Sequence, residues 1–285
     1  MTRRRDFMKT LGAAALGHAL RPRAPSPDPR AVPRKLSRIG LELFSVRDAM
    51  ARDPERTLAA VRASGYTDVE LLWSFGNFGR TTEQVRAALD KEGLRAPSAH
   101  CSPTILFVGW DRSLAIAHRL GHEFLIVPSF TPDTARSLDD WREWADRFNA
   151  AGAAARRAGI WLAFHNEAEH MTPIDGTVPY DLFVQRTDPS VVRHQLDVGN
   201  MVMGGGDPFV YLERYRDRYW SFHLKDVVAD HSRDTELGTG TLDFRRLLAA
   251  VPDIDRKFCY VEQEGAKDSL VSARRNCEFL TKLEF

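Results

Sequence analysis

From Arg38 to the C-terminus, short apolar runs of β-forming residues alternate with longer helical patterns, many of which close at a glycine just before the next run. The runs are Ile39–Phe44, Thr67–Leu72, Leu94–His100, His122–Val127, Ile160–His165, Val192–Asp197, Tyr219–Leu224 and Lys257–Glu262. The first four start at 39, 67, 94 and 122, a spacing that suits one strand, one helix and two short loops. The intervening segments carry helix punctuation. Asp53-Pro54 reads as an N-cap followed by proline at the first helical position, with Gly65 at the far end. Thr81-x-x-Gln84 reads as a capping box closed by Gly93, and Leu114–Leu120 with Gly121 and Leu138–Ala158 with Gly159 repeat the scheme. Strictly alternating α/β elements imply a parallel sheet, and eight such units predict closure into a single (β/α)₈ barrel over residues 38–285. An open doubly wound sheet is the competitor; no G-x-G-x-x-G follows the first run, as dinucleotide folds of that class require.

Size and charge narrow the function. At 285 residues and 43% hydrophobic, the chain supports one large core. Forty basic and 39 acidic side chains leave a formal charge of +1, too little surplus to neutralise a nucleic-acid backbone, so no nucleic-acid partner is expected. Arg4-Arg5-Asp6-Phe7-Met8-Lys9, followed by the weakly apolar run Leu11–Leu20, resembles a twin-arginine export signal. The run is too short for a stable membrane span. The expected organisation is a signal over residues 1–24, a Pro-rich linker over 25–37 and the barrel beyond, with an exported, periplasmic location. Cys101, Cys259 and Cys277 are too few and too scattered for a disulfide framework and read as buried thiols. The sequence assigns no oligomeric state.

In such a barrel the active site lies where the strands end, and there this chain concentrates polar residues. Run 3 ends in Ser98-Ala-His100, run 5 in His165-Asn-Glu167, run 6 in Gln195-Leu-Asp197, run 7 in His223-Leu-Lys-Asp226 and run 8 in Glu262-Gln-Glu264. Side chains alternate faces along a strand. His165 and Glu167 therefore share a face, as do His223 and Lys225, and Glu262 and Glu264. Asp197, His223 and Glu262 stand on three successive strands and form an N/O donor set suited to Mn²⁺, Mg²⁺, Co²⁺ or Zn²⁺. His165 and Glu167 are the candidates for a fourth ligand.

Together, Ile39-Gly-Leu-Glu-Leu-Phe-Ser-Val-Arg47, Gly65-Tyr-Thr-Asp-Val-Glu70, Gln195-Leu-Asp-Val-Gly-Asn200, His223-Leu-Lys-Asp226, Gly238-Thr-Gly240 and Tyr260-Val-Glu262 resemble the xylose-isomerase-like TIM barrels, and among them the sugar phosphate isomerase/epimerase relatives. The resemblance runs from about Arg38 to Leu283. It implies a divalent metal held by strands 5 to 8, at the positions of Asp197, His223 and Glu262, and chemistry at a sugar carbonyl or its neighbouring carbon. Two departures stand out. Many members have Glu where this chain has His165, while a subgroup has His-Asn-His where this chain reads His165-Asn166-Glu167. Asn200 occupies the place of a further metal-binding His in DNA-repair relatives, which argues against an endonuclease.

The implied mechanism is metal-assisted proton abstraction beside a carbonyl of a sugar or keto-sugar. Glu262 and Glu167 are the expected acid/base pair, Lys225 the donor to the developing oxyanion and His100 a hydrogen-bonding or proton-shuttling group. Glu70 and Trp73 are expected to line the sugar pocket, and Arg233, in the loop after run 7, to contact substrate. The leading expectation is an isomerase or epimerase. The alternatives are a lyase that cleaves a 3-keto-glycoside from the same first step, and a non-catalytic carbohydrate-binding barrel.

Overall fold

Each of the eight apolar runs forms a strand. The computed structural model describes residues 33–130 and 134–285, and Arg34–Phe285 form one compact unit. The proposed signal, residues 1–24, and most of the proposed linker lie outside the described residues. The barrel strands are β1 (Gly40–Glu42), β2 (Asp68–Leu72), β3 (Arg95–His100), β4 (Phe124–Val127), β5 (Trp161–His165), β6 (Val192–Asp197), β7 (Tyr219–Leu224) and β8 (Phe258–Val261). All neighbours are parallel, and β1 pairs with both β2 and β8 to close the barrel. A separate antiparallel hairpin, Asp226–Val227 with Asp234–Thr235, follows β7. Among the described residues, no helix is long and apolar enough to cross a membrane.

The capping signals work as read. Asp53 accepts from Arg56 N with Pro54 in the first turn, Thr81 and Gln84 form the reciprocal box, and Ser137 and Asp140 form another at the head of Leu138–Arg157. Strand alternation then divides the core into two. Outward residues such as Leu41, Val69, Leu125, Leu162, Leu196, Phe222 and Val261 pack in the main cluster with the helices, while Phe124, Ile126, Ala163, Phe258 and Tyr260 form a second cluster. Gly40 is required beside Tyr260, because a Cβ there would lie 2.3 Å from Tyr260 Cδ1. All three cysteines are free and buried.

Register fixes the polar layer above that floor. Glu42 stands opposite Glu70, Leu72 opposite His100, His165 opposite Gln195 and Asp197 opposite His223. The ladder shifts between Asp68 and Glu70, and again between His194 and Gln195. Such irregularities re-aim the side chains that follow them.

Candidate active site

At the C-terminal ends of β5 to β8, one ligand atom each from His165, Asp197, His223 and Glu262 falls within 4.8 Å of the others. All four residues are buried. Backbone and neighbours set each one. Asn166 bridges β5 and β6, donating from Nδ2 to Asp197 O at 2.9 Å and accepting from Asp197 N at 2.9 Å. Asp197 uses Oδ1 to cap the next helix, accepting from Asn200 N at 2.7 Å. That leaves Oδ2 facing the cluster, 3.5 Å from His165 Nε2 and 3.9 Å from His223 Nδ1.

The fit to a divalent cation rests on unsatisfied atoms. Both ring nitrogens of His165, and Asp197 Oδ2, are buried without a well-directed hydrogen bond. Orphaned buried polar atoms are costly, on the order of 1–3 kcal/mol each, and a cation taking the lone pair of one His165 ring nitrogen, with Asp197 Oδ2 as a neighbouring donor, would satisfy that nitrogen. Two imidazoles and two carboxylates suit such an ion. Between the two strand-5 candidates, His165 belongs to this group, whereas Glu167 Oε2 accepts from Asn200 Nδ2 at 2.8 Å and its Oε1 stands 3.6 Å from His165 Nδ1.

Lys225 is fully buried against the same carboxylates. Its Nζ lies 3.1 Å from Asp197 Oδ2, 3.1 Å from Glu262 Oε2, 2.6 Å from Glu264 Oε1 and 3.0 Å from Asn200 Oδ1. Burial opposes its charge, but the three carboxylates prevail and raise its pKa well above the usual lysine value. Gly199 makes room for it, since a Cβ there would lie 2.6 Å from Lys225 Cγ. Glu262 is held ionised against its burial by Lys225 and His223. Glu167 differs: burial and the Glu262 charge lift its carboxyl well above the ordinary range, against the pull of Lys225. Its side chain remains 29% exposed, so it is a high-pKa carboxyl open to a ligand.

Beneath this layer runs a directed hydrogen-bond chain. Gln195 Nε2 donates to Glu70 at 3.1 Å and to Ser221 Oγ at 2.9 Å, so its Oε1, 2.7 Å from His100 Nε2, accepts. Burial lowers the His100 pKa and raises that of Glu42. The other ring nitrogen, His100 Nδ1, stands 2.9 Å from Glu42 Oε1. Glu70 also accepts from Ser98 Oγ at 2.6 Å and from His223 Nε2 at 2.6 Å. Although burial opposes it, His100 and His223 bring the Glu70 carboxyl down to about 2.

These contacts revise several expectations. Glu70 does not line a sugar pocket, because both its oxygens are committed beneath the cluster to Gln195, His223 and Ser98. His100 has both nitrogens occupied by Glu42 and Gln195, leaving none for a sugar hydroxyl. Trp73 turns to the helical layer, its ring 5.5 Å from that of His122. Arg233 is exposed and donates to Asp234 O at 3.3 Å rather than reaching the cluster. Lys225 and Asp226 are both completely buried. Asp226 accepts from the amides of Gly238, Gly240 and Leu242 and so shapes the loop after the hairpin. The sequence reading gave no role to Glu42, Gln195 or Ser98. Applying the alternation rule to Gly40-Leu-Glu42 would have found the first.

Comparison with known proteins agrees with this architecture. The family model described as xylose isomerase-like TIM barrel matches residues 58–283. An inosose dehydratase of Lacticaseibacillus casei is 29% identical over 133 residues, 40% of this chain and 44% of that enzyme. An inosose dehydratase of Bacillus anthracis is 22% identical over 209 residues, 71% of this chain and 66% of that enzyme. The matches thus span roughly half to two thirds of these relatives. A structure from Parabacteroides distasonis titled sugar phosphate isomerase/epimerase superposes with a TM-score of 0.75 at 23% identity, covering 86% of this chain and 98% of that one.

Proposed function

The chain belongs to the xylose isomerase-like TIM barrel family, and from that premise we propose that it is a divalent-metal-dependent enzyme that removes the proton beside the carbonyl of a polyhydroxylated ketone. The observation that carries this is the orphaned His165 imidazole within the Asp197, His223 and Glu262 cluster, two residues from the open, high-pKa carboxyl of Glu167. His165, Asp197, His223 and Glu262 would hold the cation, with Glu70 orienting His223 from the layer below. When bound, the cation would supply Lewis-acid polarisation of the substrate's oxygen.

The chain's own groups do the rest. Glu167 takes the proton from the carbon beside the carbonyl, a task suited to a carboxyl whose pKa stands well above the ordinary carboxylate range. Lys225, held by hydrogen bonds to Asn200 and Glu264 and ion pairs to Asp197 and Glu262, donates to the oxyanion that develops as the proton leaves. Returning the proton to either carbon isomerises or epimerises the substrate. Elimination of a neighbouring oxygen substituent is the second outcome. It is favoured by the chemical asymmetry of the pair, one neutralisable carboxyl and one cationic donor, and by the likeness to inosose dehydratases.

Incubation of metal-loaded protein with keto-sugars, inososes and 3-keto-glycosides in D₂O tests both outcomes. Deuterium at the carbon beside the carbonyl without bond cleavage supports isomerisation, and release of water or aglycone supports elimination. Neither event across the panel would overturn the proposal. The twin-arginine-like residues extend it to a periplasmic location, which requires that Arg4→Lys with Arg5→Lys retain the protein in the cytoplasm.

A further inference from the structure

The strands that carry His165, Asp197, His223 and Glu262 at one end of the barrel carry a second assembly at the other. Trp161 opens β5, Arg193 and Trp220 are the second residues of β6 and β7, and Lys257 immediately precedes β8. The Arg156 guanidinium lies 3.7 Å from the Trp161 ring centroid, and that of Arg193 lies 4.1 Å from Trp161 and 4.5 Å from Trp220. Lys257 Nζ lies 4.2 Å from Trp220. Cations and indoles therefore alternate across the N-terminal mouth, each ring covered by positive charge.

Beside this ladder is a cavity of about 280 Å³ whose charged lining comprises Arg193, Arg216, Arg256 and Lys257, with only Asp217 and Asp253 opposing. Among the described residues, none of the four cations has a carboxylate within 4.0 Å. Arg193 Nη1 donates to the Asp217 carbonyl at 3.4 Å and Lys257 to the Tyr219 carbonyl at 2.8 Å, both neutral acceptors. Arg193 Nε and Trp220 Nε1 are buried donors with no acceptor at all. The crowding has an electrostatic cost: burial, Arg218 and Arg156 together bring the Arg193 guanidinium down to about 10, and burial with Arg193 lowers Lys257. Surplus positive charge converging on a concavity, carried by side chains without carboxylate partners, is what an oxyanion requires. Arg193 and Lys257 both stand over the Trp220 ring and would compete with a stacked base for it. The geometry selects a compact, multiply charged group.

We propose that the N-terminal mouth of the barrel binds a phosphate-bearing small anion, at a site separate from the cluster at the C-terminal mouth. Free phosphate, diphosphate and a phosphate monoester share the chemistry, and the test separates them. The full chain is titrated with inorganic phosphate, pyrophosphate and glucose 6-phosphate against chloride at matched ionic strength, following tryptophan fluorescence and thermal unfolding. A saturable change is expected for the phosphates and not for chloride, with pyrophosphate tighter than phosphate if the cavity takes a diphosphate, and the monoester comparable to phosphate if an ester tail is accommodated. The exposed Arg216→Ser and Arg256→Ser substitutions should each weaken binding about tenfold while leaving metal content and basal turnover unchanged. Arg193→Met should abolish it; if that variant fails to fold, the exposed pair still decides. Absence of saturation at millimolar phosphate and pyrophosphate, or binding indifferent to both exposed substitutions, would overturn the site.

Discussion

His223 Nε2 lies 2.6 Å from Glu70 Oε2, so the imidazole that offers Nδ1 to the candidate metal site is anchored from below by a fully buried carboxylate. Such a partner fixes ring orientation and tautomer and raises ligand basicity. Glu70→Gln keeps the shape but removes the charge that draws the Nε2 proton. Divalent-metal affinity should fall about 10- to 100-fold, measured by competition against a chelating indicator. Unchanged affinity would show that the anchor contributes nothing to metal binding.

His165 and Glu167 should separate by function. His165→Ala removes a donor from the four-residue cluster, so purified protein is expected to lose bound metal. Glu167→Gln leaves the cluster intact and removes the proton acceptor, so metal content should persist while kcat falls about 10²- to 10⁴-fold. Elemental analysis beside turnover measurement decides; the reverse pattern would make Glu167 the ligand.

Lys225→Met keeps most of the side-chain volume and removes the ammonium shared by Asp197, Glu262 and Glu264. Breaking a buried charge network by deleting one partner costs about 3–5 kcal/mol. The metal-free variant should therefore unfold at markedly lower denaturant than the metal-free parent. Added divalent cation should recover part of the loss, because it supplies positive charge to the same carboxylates. Equal denaturant midpoints for the two metal-free proteins would contradict this balance.

The architecture was legible because it depends on local signals. Caps such as Asp53 and Thr81 mark helix starts, and apolar runs mark strands, whatever the rest of the chain does. That Asp197, His223 and Glu262 converge was legible for a similar reason, since strand order and alternation place strand-end side chains without knowledge of packing, whereas the choice on β5 between His165 and Glu167 stayed open. The committed state of Glu70 and His100 was not legible, because it depends on which atoms their neighbours use, and those neighbours lie 125 and 95 positions away at Gln195. Nor does the pattern Asp197-Val-Gly-Asn200 reveal that Gly199 is needed by Lys225, a contact created only when β6 and β7 pair.

The last prediction concerns acid stability. His122 is buried with Nδ1 2.5 Å from Ala96 O, and burial lowers its pKa from 6.5 to about 4. The unfolded chain therefore binds a proton that the folded chain refuses between these values. His122 thus contributes stability that is fully present above about pH 6.5 and is lost as pH falls toward 4, amounting to about 2 kcal/mol near pH 5. His170, brought by burial to about 3, and His194, lowered well below its usual value by burial and by Arg218, act in the same direction. His122→Gln retains a donor without a titration in this range. Its denaturation midpoint should change less between pH 7 and pH 5 than that of the parent, with the residual slope left by His170 and His194. Parallel pH profiles for the two proteins would mean that His122 is not the neutral buried group its surroundings require.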